Sequence, residues 1–281
     1  MTTTEYKGSC HCGAFRFTLS LPAPLTTAHS CNCAVCAKKG SLWVFPRDNE
    51  LVVMRGEGGL VGYKAGDDDN EAEHFFCGVC GTGVLVRGHG VPGVEGVGAG
   101  VGARALLGVN PFSLTVESFG DKSSAPPRVF PGPLPEIEGK DLQIYSGGCH
   151  CGAVSLAVKT KVLAEVEVKE DNCSICQRNA NTCIYPTQSH VSLLGEASLT
   201  EYRFGRKFMG HRFCKVCSVQ VCMKAYGPPQ AVVEKLPPAT QEMVRKNLEI
   251  FPVRVAVLDG VDWDSLVVKR SDEGTGGYGV E

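Results

Sequence analysis

The sequence predicts a mainly β protein built from two tandem copies of one small, cysteine-stapled domain, with few short helices. Three observations carry this reading: short runs that alternate apolar and polar residues, an ordered set of cysteine motifs that occurs twice, and a proline-rich stretch between the two sets.

Residues 13–19 and 152–158 alternate as a strand with one buried face requires, and residues 251–258 read as a further strand. The clearest helix candidate is residues 240–248, directly behind Pro237 and Pro238, because proline suits a helix's first turn. The segment 81–108 is dense in glycine and valine and reads as a weakly registered hairpin or a loop. Within it Gly98, Gly100 and Ala103 match a dinucleotide fingerprint in form. No βαβ unit surrounds them and no acidic residue follows at the required distance, so that reading is set aside. Asp67, Asp68 and Asp69 read as a loop tip.

The cysteines set the organisation. The first half carries Cys10-His11-Cys12, then Cys31, Cys33 and Cys36, then Cys77 and Cys80. The second carries Cys149-His150-Cys151, then Asp171, Cys173 and Cys176, then Cys214 and Cys217. Between these anchors Pro46 matches Pro186, Gly56 matches Gly195, Tyr63 matches Tyr202 and His74 matches His211. Residues 118–139 hold Pro126, Pro127, Pro131, Pro133 and Pro135, an extended composition that makes few contacts. The expected organisation is therefore a first domain over 1–120, a linker over 121–140 and a second copy over 141–275.

A hydrophobic content of 43% with only 7% aromatics implies small aliphatic cores. Net charge of −2 and a pI near 6.4 argue against a nucleic-acid-binding surface. No apolar run is long enough to span a membrane, and the first residues lack the apolar core of a secretory signal. A cytoplasmic protein is expected, where thiols stay reduced. With 15 cysteines, an odd number, a disulfide framework is disfavoured and metal ligation favoured.

On a strand, Cys10 and Cys12 face one side, and a Cys-x-x-Cys turn brings Cys77 and Cys80 together; the four thiols suit a closed, structural zinc site. Cys149, Cys151, Cys214 and Cys217 repeat that set. Cys31, Cys33 and Cys36 remain, and three thiolates leave a fourth position open, as catalytic zinc requires. A thiol entering there would lose its proton and become a nucleophile at neutral pH. In the second half Asp171 takes the place of Cys31. Aspartate can ligate zinc, but losing one of three thiolate anchors lowers affinity, so Asp171, Cys173 and Cys176 read as a weaker or degenerate metal site. Cys183, opposite Trp43, is a remote substitute ligand; it and Cys222 read first as buried core thiols. His11 and His150 point away from the sulfurs. Lys38 and Lys39 read as a solvated pair, with a substrate carboxylate as the other option.

Three ordered motifs, Gly-x-Cys-His-Cys-Gly, Cys-x-Cys-x-x-Cys and Phe-Cys-x-x-Cys, together with a closing strand and turn over 255–262, carry a resemblance. The chain resembles the glutathione-dependent formaldehyde-activating enzyme family, which includes centromere protein V. The resemblance implies small coiled sheets of the Mss4-like type and zinc as cofactor. It implies Cys10, Cys12, Cys77 and Cys80 as structural ligands, and Cys31, Cys33 and Cys36 as ligands of the catalytic zinc. The activity it implies is that of a carbon–sulfur lyase joining formaldehyde to glutathione as S-hydroxymethylglutathione. His74 and His211 stand where the family leads one to expect arginine. The rival reading is a zinc-stapled binding or scaffold module without catalysis.

Overall fold

The computed structural model describes residues 3–47, 49–65, 72–88, 99–120, 127–171 and 173–271. Each half sets a three-stranded sheet beside a seven-stranded one. The smaller sheets pair Thr4–Ser9, Arg16–Leu21 and Leu51–Arg55 in the first half, and Gln143–Gly148, Ser155–Thr160 and Val191–Leu194 in the second, all antiparallel. The larger sheet of the first half runs Thr115–Phe119, Thr27–Cys31, Trp43–Val44, Ala99–Gly102, Gly83–Arg87, Glu73–Cys77, Leu60–Lys64. In the second half the same order reads Val268–Ser271, Val168–Asp171, Thr182–Ile184, Val253–Arg254, Gln220–Ala225, Met209–Cys214, Leu199–Tyr202. The first pair of each is parallel. Even the irregularities agree: the register slips between Phe75 and Phe76, and again between the matching Arg212 and Phe213.

Alternation decides which side chains go inside. Phe17 and Leu19 are fully buried while Arg16 is exposed, and Leu156 and Val158 are buried in the second copy. Cys10, Cys77 and Cys80 belong to the first core with Phe15, Phe17, Leu85 and Val101. Cys149, Cys214 and Cys217 take the same place in the second, with Val154, Leu156, Val221 and Val253. The helix expected at 240–248 forms over Pro238–Leu248. Among the described residues no helix is long and apolar enough to cross a membrane.

Several expectations change. The strand expected from residue 13 begins at Arg16, because Gly13 at φ +74° closes a turn in which Cys10 and Cys12 sit beyond the end of Thr4–Ser9. Turn geometry, not strand alternation, therefore brings those two thiols together. The expected strand over 251–258 is short, Val253–Arg254, and passes into a 3₁₀ turn over Val255–Val257. In the glycine-rich stretch the strand-pair alternative holds: Gly83–Arg87 pairs antiparallel with Ala99–Gly102, where a Cβ on Gly100 would strike Val86 and Phe45 at 2.7 and 2.8 Å. The described end of the linker is held, not free. Arg128 donates to the carbonyls of Cys149 and His150 at 3.0 and 2.9 Å, and Phe130 is buried. Gly98 and the run Asp67 to Asp69 lie outside the described residues.

The halves meet through reciprocal contacts. Tyr63 Oη lies 2.6 Å from His150 Nδ1, and Tyr202 Oη lies 3.0 Å from His11 Nδ1. Phe76 meets Phe213 edge to face. Reciprocity of this kind is what a two-fold pairing of equals produces. The repeat thus folds as a dimer within one chain.

Candidate metal centres

In the first half the turn after Ser9 and the turn after Glu73–Cys77 bring Cys10, Cys12, Cys77 and Cys80 together, with all four sulfurs within 4.8 Å of one another. Cys12 Sγ lies 3.6 Å from Cys10 Sγ and 3.5 Å from Cys77 Sγ. Sulfurs at the corners of a zinc tetrahedron stand about 3.8 Å apart. The amide of Phe15 donates to Cys10 Sγ at 3.3 Å, which favours an anionic sulfur there. Cys149, Cys151, Cys214 and Cys217 form an equivalent group, with 3.5 Å separations and the Val154 amide 3.2 Å from Cys149 Sγ. Within each group mutual hydrogen bonding splits the thiols, holding Cys80 and Cys217 far below the usual thiol range and Cys10 and Cys149 far above it. Metal binding would release the remaining protons.

A third group assembles at the end of Thr27–Cys31 and the start of the helix Ala34–Lys39, where Cys33 is the N-cap residue. Cys31, Cys33 and Cys36 converge within 4.8 Å, Cys31 and Cys36 buried and Cys33 partly exposed. Hydrogen bonding from the Cys31 and Cys36 thiols holds Cys33 well below its usual range, down to about 2, with His74 assisting. The Cys33 amide donates to Cys31 Sγ and the Trp43 indole to Cys36 Sγ, both at 3.4 Å. Around this group, His29, Phe45 and Phe119 form a cluster of rings with centroids 5.8–6.4 Å apart. Strand register puts them there: Phe119 pairs with Cys31, and His29 with Trp43. Nothing in the cysteine spacing announces these rings.

The second half does not build this group. Asp171, Cys173 and Cys176 do not converge as a metal-ligating set among the described residues. Asp171 Oδ1 instead accepts from the Cys173 amide at 2.7 Å, the role that Cys31 Sγ plays toward Cys33. Cys183 and Cys222 are buried in the core, and burial pushes both thiols up to about 12.

The intervening histidines reach the other half of the chain. His11 Nε2 lies 2.9 Å from Ser174 Oγ of the other half, and burial, aided by Arg178, pushes His11 down to about 4. The two lysines are not a solvated pair. Lys38 Nζ pairs with Asp259 at 2.7 Å and donates to the Val257 carbonyl at 3.1 Å, while Lys39 is buried. Sequence matching of Tyr63 with Tyr202 and of His11 with His150 was the signal available for this interface; what it lacked was the crossing of each pair to the other copy.

The sequence model of the glutathione-dependent formaldehyde-activating enzyme family matches residues 5–111 and again 144–252. A crystal structure of a Rhodobacter sphaeroides protein is 26% identical, with a TM-score of 0.35, over 45% of this chain and 99% of that one. With the family match extending over more than half of its length, and twice along it, the chain belongs to the glutathione-dependent formaldehyde-activating enzyme family.

Proposed function

We propose that the chain is a zinc-dependent carbon–sulfur lyase that joins formaldehyde to a small thiol, glutathione, and that the chemistry is confined to the first half. The observation that carries this is the convergence of Cys31, Cys33 and Cys36, two buried and one partly exposed, with no fourth ligand in the group among the described residues. The chemistry of three thiolates fits zinc, which when bound would lower the pKa of a thiol at its remaining position so that the thiolate attacks at neutral pH.

The chain's own residues hold that position. The Cys33 amide and Trp43 indole hydrogen bonds fix two sulfurs against rotation. Phe45 and Phe119 pack against the thiol group and supply an apolar wall that limits water, and so hydration of the aldehyde. The overall addition balances without a redox partner: sulfur bonds to the carbonyl carbon, the C=O π bond breaks, and the thiol proton ends on oxygen. Asp171, Cys173 and Cys176 are assigned no catalysis.

Exchange NMR of glutathione with formaldehyde tests the reading. Wild type is expected to speed exchange above the spontaneous rate, and Cys33→Ser to lose that acceleration and one metal while keeping its fold. Unchanged exchange and metal content in Cys33→Ser would reject it in favour of a binding module.

A further inference from the structure

Between the halves lies a cavity of about 30 Å³ whose wall includes Lys39, Arg104, Arg178 and Arg254. Among its described lining residues there is no aspartate or glutamate. Arg104 donates to the carbonyls of Gly40 and Gln177 at 3.0 and 3.1 Å, and Arg254 to those of Ala180 and Lys38 at 3.0 and 2.8 Å. These carbonyls orient the guanidinium groups but carry no full charge.

Part of the remaining wall is polar and unsatisfied. Lys39 Nζ, Ser218 Oγ and Gln220 Nε2 are buried without a hydrogen-bond partner among the described residues, as is one acceptor, Asn179 Oδ1. Lys39 is 9% exposed and Gln220 5% exposed. The ammonium lies 5.6 Å from the Phe76 ring. Glycines open the space: a Cβ at Gly81 would come within 2.5 Å of Gln220 Nε2, and one at Gly83 within 3.7 Å of Lys39 Nζ. Asn179 matches Lys39 in the repeat, so the interface carries one ammonium at this place and not two.

Buried donors without acceptors are costly, and a buried cation more so. The thiols of Cys36, Cys217 and Cys33 act on the ammonium from outside the wall, but water would place no anion in the cavity itself, whose described lining supplies none. At about 10–15 Å³ per water, the cavity takes about two waters or one halide-sized ion, and is far too small for glutathione. We infer that it is a binding site for one small monovalent anion of halide size, held by Lys39 Nζ, Gln220 Nε2 and Ser218 Oγ, which locks the two copies together.

Bromide is the probe. Crystals of the full chain grown in gluconate and transferred to millimolar bromide are expected to show an anomalous peak in the cavity, absent in Lys39→Met. In solution, at ionic strength held constant with gluconate, each tenfold rise in bromide above its dissociation constant should raise the Tm of the metal-loaded protein by about 3 °C. Lys39→Met should lose that dependence; if it does not fold, Gln220→Leu carries the same expectation. Water alone in the cavity, or a Tm indifferent to halide, overturns the assignment. So does a peak seen only at molar bromide, which marks an adventitious ion only.

Discussion

The two copies treat their two kinds of thiol set differently. Cys10, Cys12, Cys77 and Cys80 are matched in full by Cys149, Cys151, Cys214 and Cys217, down to an amide donor 3.2–3.3 Å from the first sulfur. The neighbouring set is intact in the first copy and altered in the second, where Asp171 stands for Cys31 and Cys183 for Trp43. The four-thiol groups sit with the hydrophobic cores, where metal binding would be coupled to folding. The three-thiol group sits at a helix start. What that site must keep for folding is a hydrogen-bond acceptor for the N-cap amide, and Asp171 supplies one at 2.7 Å. The second copy thus carries the helix-start acceptor without a converged three-ligand set among the described residues.

The largest expected effect separates these roles. Cys80→Ser and Cys217→Ser should each remove one metal and the cooperative unfolding transition of the affected copy, since binding at structural zinc sites supplies about 10–16 kcal/mol in small domains. Metal content and near-UV circular dichroism would read this. Cys173→Ser, by contrast, should cost about 1 kcal/mol or less and release no metal. Equal damage from Cys173→Ser would break the comparison. An intermediate effect sharpens it: Asp171→Cys restores the third thiol and should raise the bound zinc of the full chain by one. Zinc content unchanged in that variant would place the block elsewhere, with Trp43 against Cys183 as the next difference to swap.

Much of this was legible in the sequence because metal ligation constrains spacing. The cysteine order gave both four-thiol groups and the three-thiol group without any knowledge of strand order. Secondary structure near the ligands was less legible: alternation could not show that Gly13 closes a turn, so Cys10 and Cys12 converge by a different geometry from the one expected. The interface was hidden for another reason. Lys38 and Lys39 look like surface residues because pairwise sequence reading does not contain the other copy, and Asp259 lies more than two hundred residues away. Sequence distance also hid Phe119, which parallel pairing of Thr27–Cys31 with Thr115–Phe119 brings beside Cys31 from a distant part of the chain.

The smallest effect tests the two-fold pairing itself. Gly40 and Ala180 end the equivalent helices Ala34–Lys39 and Ser174–Asn179, both with left-handed backbone, at φ +59° and +49°. They face one another: a Cβ on Gly40 would lie 2.6 Å from that of Ala180 and 3.0 Å from Arg254 Nη2. Only one methyl fits. Gly40→Ala should therefore destabilise by about 2–4 kcal/mol, combining left-handed strain with overpacking. Ala180→Gly should stabilise by about 1 kcal/mol, because glycine adopts that backbone without strain. The double variant moves the methyl across the axis, and its stability should return to within about 0.5 kcal/mol of wild type, where additive costs would leave it about 1–3 kcal/mol less stable. Denaturant midpoints of the four metal-loaded proteins measure it. If the double variant is instead the sum of the two singles, the residues do not oppose each other in solution and the pairing of the copies differs from the one described.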